Sequence, residues 1–348
     1  MKRPVVAKLG SGLVVGDDGE PRRDLLRARA AEIAEVVASG VPVCVVSSGA
    51  IALGLPKLGL SRRPRSLSRL QAASTLGQAA LQRAWEDALG AHGLLGAQVL
   101  LTGAEIADRR AYANLRNALG ALFSLGAVPV VNENDATATD EIAFGDNDAL
   151  AAQVAVLVRA RLLVLLTSVE GVLTHAPGDV RATLIASGAA ARAAVLGRGS
   201  ATGTGGMESK IAAAELAAAA GIPAVIASGA GGDGVLRPIV AGEPRGTRFE
   251  AAPTGESAFK LWLRFGKRIS GRIHVDEGAV HAVTEGRRSL LAVGVVRAEG
   301  GFRAGDGVEL CGPDGTPFGR GLSSVDAADL ASRARNVEAV HRDRLVLY

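Results

Sequence analysis

The sequence predicts an α/β domain built on a parallel sheet, followed by a smaller β-rich domain. Its length of 348 residues leaves room for roughly two domains of about 150 residues each. Over the first 230 residues, short apolar runs alternate with Ala/Leu/Arg-rich helical stretches, the pattern of a parallel sheet with helical crossovers. Near residue 250 the character changes to Gly/Asp punctuation every 8 to 12 residues, as in a small β domain.

Five apolar runs read as buried strands: Val5 to Leu9, Val41 to Val46, Val128 to Val131, Leu162 to Leu166 and Ile222 to Ala227. Helical patterns at Arg22 to Ala38, Ser68 to Leu89 and Asp108 to Leu125 lie between them. Glycine supplies 45 of the 348 residues, well above the usual value of about 7%, and serves the many tight turns. The first domain is expected to span 1–250 and a linker 251–268, beginning at Ala251 to Glu256. The β-rich domain then covers 269–348, with strands at Arg272 to Asp276, Leu290 to Arg297, Gly307 to Cys311 and Arg344 to Tyr348.

Composition excludes several classes. Hydrophobic residues at 48% and charged residues at 21% match a globular protein with ample core material. The longest apolar runs fall far short of the ~20 residues that span a bilayer, and Lys8, Gly10 and Gly12 interrupt any secretory h-region. Two cysteines, Cys44 and Cys311, make neither a disulfide framework nor a four-ligand zinc site. A cytoplasmic enzyme is the expectation. The net charge of +4 is dispersed: Leu263 to Tyr348 holds 13 Arg or Lys against 11 Asp or Glu, so nucleic acid is not the expected partner. Only six lysines stand beside 33 arginines, which suggests lysine is kept where a compact ammonium is needed.

The residues that follow each strand are the more informative signal. The first strand runs into Gly10-Ser11-Gly12, the second into Ser47-Ser48-Gly49-Ala50 and the third into Asn132-Glu133-Asn134-Asp135. The fourth ends at Thr167-Ser168 and the fifth at Ser228-Gly229. Open α/β sheets bind ligands outside the carboxyl ends of their strands, so five small polar loops imply one cleft. Familiar nucleotide motifs are missing: residues 10–16 miss the dinucleotide fingerprint by one position, and no Gly-Lys-Ser/Thr triplet exists. His341-Arg342-Asp343 spells a protein-kinase triplet without its following Asn or a DFG, and is read as chance.

Two constellations can carry chemistry. Residues 132–148 hold six acids (Glu133, Asp135, Asp140, Glu141, Asp146, Asp148) together with Asn132 and Asn147. Such a patch can receive an ammonium, orient basic side chains, or sit near Mg2+ through water. Residues 203–210, GTGGMESK, enter an alanine-rich helix, where open N–H groups favour an anion and Lys210 can reach phosphate oxygens. Lys8 has the same opportunity beside Gly10. Two lysines converging on one cleft would neutralise a transferring phosphoryl group.

Taken together, VVAKLGSG (5–12), VVSSGAIALG (45–54), VPVVNENDATAT (128–139), FGDNDALAA (144–152) and GTGGMESK (203–210) resemble the glutamate 5-kinases, of the amino-acid kinase superfamily. The segments IHVDEGAVHAV (273–283) and SLLAVGVVRAEGGFRAGDGVEL (289–310) resemble the PUA domain that closes many bacterial members. The resemblance implies an α/β/α sandwich with a mostly parallel central sheet, the amino-acid kinase fold, plus a PUA-like domain. It implies ATP- and Mg2+-dependent phosphorylation of the γ-carboxylate of L-glutamate, the first step of proline biosynthesis. Lys8 and Lys210 would then contact the phosphoryl group, with Asp148 holding the lysines. Ser48, Gly49, Ala50, Asn132, Asp135, Asp146 and Asn147 would bind glutamate. ATP would be held by Lys8, Gly10, Ser11, Thr167, Ser168 and the run Thr204, Gly205, Gly206, Met207, Glu208, Ser209 and Lys210. No resident protein-held metal is implied. Feedback inhibition by L-proline and a homo-oligomer, dimer or tetramer, are further implications.

A carboxylate is already a nucleophile at neutral pH, so the scarcity of histidine is no obstacle. One departure stands out. The family's Thr-Asp and Gly-Leu-Tyr after the fourth strand are here Thr167-Ser168 and Gly171-Val172-Leu173, which implies altered nucleotide-side contacts. Two other readings remain: a kinase acting on another carboxylate, carbamate or phosphate, and an RNA-binding protein working through its second domain.

Overall fold

A computed structural model describes residues 2–60, 62–138, 147–196, 205–231, 234–252, 255–267, 269–330 and 337–348. The chain divides into two units, Met1–Gly255 and Glu256–Tyr348.

In the first unit the five apolar runs read from the sequence form strands because each is buried on both faces, and two further strands join them. The strands are β1 (Val5–Leu9), β2 (Val43–Ser47), β3 (Gly96–Leu101), β4 (Val128–Glu133), β5 (Leu162–Thr167), β6 (Ala224–Ser228) and β7 (Thr247–Phe249). The sheet order is β3-β4-β2-β1-β5-β6-β7, and every pair is parallel except β6–β7. β1, read from sequence with the same ends, is central: Lys8 pairs in register with Val46 on one side and Leu165 on the other. β3 and β7 are absent from the sequence reading. β3 is largely half-exposed and β7 has three residues, so neither presents a buried apolar run.

Strand side chains alternate between faces. Val5, Ala7 and Leu9 join one core with the helices Arg23–Ala38 and Leu67–Gly90. The opposite face carries the helix Asn147–Leu157, which is buried nearly all round and packs against β1 and against the alanine-rich helix Gly205–Ala219. A helix apolar on every side belongs inside, and this one is sandwiched between sheet and helix. The α/β/α layering implied by the resemblance is therefore present.

The second unit holds a six-stranded sheet of order β10-β8-β11-β12-β13-β9. Its strands are β8 (Ile269–Val275), β9 (Leu290–Leu291), β10 (Val295–Glu299), β11 (Gly307–Cys311), β12 (Pro317–Ser323) and β13 (Glu338–Leu347). Phe302, Ile273 and Val308 lie in its core. The stretch expected as one strand from Leu290 to Arg297 is two, split by a 3-10 turn at Ala292–Gly294. The final strand begins at Glu338 rather than Arg344. Asp276 caps the helix Glu277–Thr284 by accepting from the Ala279 N–H at 2.7 Å. Residues 251–268, expected as linker, contain a helix (Ala258–Leu261) and a π-helical turn (Trp262–Gly266) that pack on β12 and β13. Both cysteines are free and buried, and burial pushes the Cys44 thiol up to about 12.

Candidate active site

The five small polar loops leave five adjacent strands, because β4-β2-β1-β5-β6 is an unbroken stretch of the sheet. The chain visits β2 on one side of β1 and β5 on the other, so a topological switch point opens at the carboxyl end of β1. Lys8 stands there, 3% exposed.

Lys8 is on the face covered by the helix Asn147–Leu157, and its partner comes from that helix's first turn. The Lys8 ammonium lies 2.6 Å from Asp148 Oδ1. Lys210, one turn into the helix Gly205–Ala219, lies 3.0 Å from Asp148 Oδ2. Ser209 Oγ donates to the same oxygen at 3.0 Å, and Lys210 also donates to Gly206 O at 3.0 Å. One carboxyl group thus gathers two ammoniums separated by 202 positions in sequence. Burial pushes the Asp148 carboxyl up, but the charges and hydrogen bonds of Lys8 and Lys210 outweigh it and hold it below the usual range. The cluster keeps a surplus positive charge, suited to an incoming anion.

On the β2/β4 side, Asn147 Nδ2 donates to Ser47 O at 3.0 Å and to Asn132 Oδ1 at 2.6 Å. Asn132 Nδ2 in turn donates to Gln78 Oε1 at 2.6 Å. Asp135 accepts from Ser74 Oγ. Burial raises the Asp135 carboxyl, while the Ser74 hydrogen bond and the Arg63 charge pull the other way. Ser48 Oγ and Asn147 Oδ1 are buried without a hydrogen-bond partner, a costly state that a bound polar ligand relieves. Gly49 holds φ +120°, and its Cβ would also meet Val15 at 3.0 Å, so only glycine carries the turn from Ser48 into the helix Ala50–Gly54.

The backing of this side is the helix Leu67–Gly90, which the sequence reading left without a functional role. Gln71, Ser74 and Gln78 form a polar stripe at helical spacing on it, and the buried Trp85 donates to Ser47 Oγ at 2.9 Å. That stripe, on a face otherwise holding Leu70, Ala73 and Leu81, was the available signal. Gly54 and Gly77 let the two helices touch backbone to backbone: a Cβ on Gly77 would lie 1.8 Å from Ala50 O.

On the β5/β6 side, Gly10 precedes a short helix at Ser11–Val14, and Ser11 is exposed. Thr167 ends β5 half-buried, its carbonyl accepting from the Gly229 N–H at 2.7 Å, and Ser168 is exposed. Gly205 opens its helix; Met207 and Ser209 are half-buried and Glu208 is exposed. A Cβ on Gly10 would stand 3.9 Å from the Lys8 ammonium and one on Gly206 4.0 Å from that of Lys210. Side-chain-free backbone therefore lies beside both ammoniums, the setting phosphate oxygens use. The loop after β6 is tied down by the buried pair Arg29–Glu32 (2.9 Å): Arg29 donates to Gly231 O at 2.6 Å and Glu32 accepts from Leu236 N. Asp140, Glu141, Asp146 and Thr204 lie outside the described residues. Among the described residues no three His, Cys, Asp or Glu side chains gather as metal ligands, and no helix is long and apolar enough to cross a membrane.

Comparison with known proteins places both units in known families. The sequence profile of the amino acid kinase family matches residues 3–228, and that of the PUA domain residues 271–342. The glutamate 5-kinase of Novosphingobium aromaticivorans is 44% identical, over 99% of this chain and 95% of its own. That of Sphingopyxis alaskensis is also 44% identical, and that of Burkholderia cenocepacia 41%, each over 99% of this chain and 97% of the relative.

Proposed function

The chain belongs to the amino acid kinase family and carries a PUA domain, and on that footing we propose that it is a glutamate 5-kinase. It transfers the γ-phosphoryl group of ATP to the γ-carboxylate of L-glutamate, giving L-glutamyl 5-phosphate for proline biosynthesis. The observation that carries the reading is the Asp148 carboxyl held between Lys8 and Lys210.

The chemistry asks little of the protein beyond positioning and charge. The acceptor carboxylate is ionised at neutral pH and needs no general base. Charge on the transferring phosphoryl oxygens is stabilised by the two ammoniums, which a low-dielectric site strengthens. Asp148, ionised because both lysines hold it so, fixes their Nζ atoms without adding enough charge to cancel them. The buried Ser48 hydroxyl and Asn147 amide oxygen are offered to glutamate's polar atoms, and Asp135 to its α-ammonium. Asp146 belongs to the same proposal. ATP lies on the other side of β1, over Gly10, Ser11, Thr167, Ser168 and the run from Thr204 to Lys210. Mg2+ would be carried by the nucleotide's phosphates, since it keeps several waters and needs few protein carboxylates. Work in the cytoplasm, inhibition by L-proline and a homo-oligomeric state complete the reading.

A coupled assay of ADP release with glutamate, ATP and Mg2+, with and without proline, tests it. Full activity on N-acetylglutamate or UMP with none on glutamate overturns it.

A further inference from the structure

The second unit contains a cavity of about 540 Å³, within the range of small-ligand sites. Val283, Leu345 and Val346, all buried, give it an apolar floor. Five cations line it (Lys260, Arg264, Arg287, Arg288 and Arg342) against two carboxylates, Glu256 and Asp343.

Both carboxylates are already engaged. Glu256 takes the Arg264 guanidinium through two hydrogen bonds of 3.1 and 2.7 Å. Asp343 lies 3.6 Å from Arg342 Nε. Lys260, Arg287 and Arg288 are left without an ion-pair partner among the described residues. Arg287 moreover holds a left-handed φ of 48°, a conformation that costs a non-glycine residue energy and so is kept only where its surroundings impose it. Free cations around one concavity repel one another, and an anion with several oxygens offsets that repulsion through charge-assisted hydrogen bonds.

We propose that this cavity binds a small phosphate-bearing anion, a ligand site additional to the phosphoryl-transfer site of the first unit. The charge of Leu263 to Tyr348 is nearly balanced, 13 basic residues against 11 acidic, so the surplus is gathered at one pocket rather than laid out as a track for nucleic acid. The proposal does not depend on which acceptor the kinase site uses.

Calorimetric titration of the full chain with inorganic pyrophosphate tests it. Binding should persist in Lys8→Ala, weaken at least tenfold in Arg287→Glu/Arg288→Glu, and weaken less in Arg287→Gln/Arg288→Gln. Phosphorylation of glutamate by both double variants should stay within twofold of wild type, which reports intact folding. Pyrophosphate affinity unchanged by the charge reversal, or lost in Lys8→Ala instead, overturns the proposal. So does a 20-nucleotide RNA that binds more tightly than pyrophosphate and is released by the same reversal, since the pocket would then serve nucleic acid.

Discussion

Replacing Gly77 by alanine separates what a helix prefers locally from what this packing permits. Gly77 sits inside the helix Leu67–Gly90, where propensity alone favours alanine by up to about 1 kcal/mol. The added Cβ, however, would lie 1.8 Å from Ala50 O and 2.7 Å from Gly54 N, whereas ordinary contact begins at 3.4 Å. The two helices must part by roughly 1.6 Å, and the atoms in the way are backbone, which has no rotamer to yield. Overpacking of this kind costs about 1–3 kcal/mol, so the upper end less the propensity gain leaves a net loss of about 2 kcal/mol. In a domain of this size that lowers Tm by roughly 4–8 °C. The displaced element begins at Ala50, beside Ser48 and Gly49, so the KM for glutamate should rise about tenfold, worth ~1.4 kcal/mol. The KM for ATP should change by less than about twofold. Thermal unfolding by circular dichroism and steady-state kinetics read both effects. A Tm equal to or above wild type with an unchanged KM for glutamate would refute the reasoning.

Lys8→Ala or Lys210→Ala should lower kcat by orders of magnitude, and Arg at either position should not restore it, because guanidinium is planar and bulky; a loss under about tenfold contradicts the role. Asp148→Asn should destabilise the chain at pH 7 by about 3–5 kcal/mol, by leaving buried ammoniums short of their counter-ion. Since the folded carboxyl lies below its unfolded value of about 3.9, that contribution is present above about pH 4 and is lost as pH falls through the lowered value. Denaturant titrations should therefore show the gap to wild type closing in acid; a gap that stays constant to pH 2 argues against the ion pairs. Asp135→Ala should raise the KM for glutamate more than that for ATP, and equal effects remove its assigned contact.

The local sequence was enough for β1 and for the small polar loops after the strands, because a doubly buried strand is a continuous apolar run ended by turn residues. It also carried the identity of Lys8, Asp148 and Lys210 through their motifs. It missed β3 and β7, whose exposure or shortness leaves no such run. Its one sign that the helix Leu67–Gly90 would back the site, the stripe Gln71, Ser74 and Gln78, reads as a wet face until something packs on it. Gln78 and Ser74 acquire partners only when β4 and the residues after it are laid against that helix. The meeting of Lys8 with Lys210 is likewise tertiary. Nothing within either segment specifies the other, and they share a carboxylate because the helix carrying Asp148 is sandwiched between β1 and the helix carrying Lys210. Local chemistry chose the residues; the crossovers of the sheet and the packing of helices upon it decided which of them touch, because contact between distant segments is a property of the closed core and not of any stretch of chain.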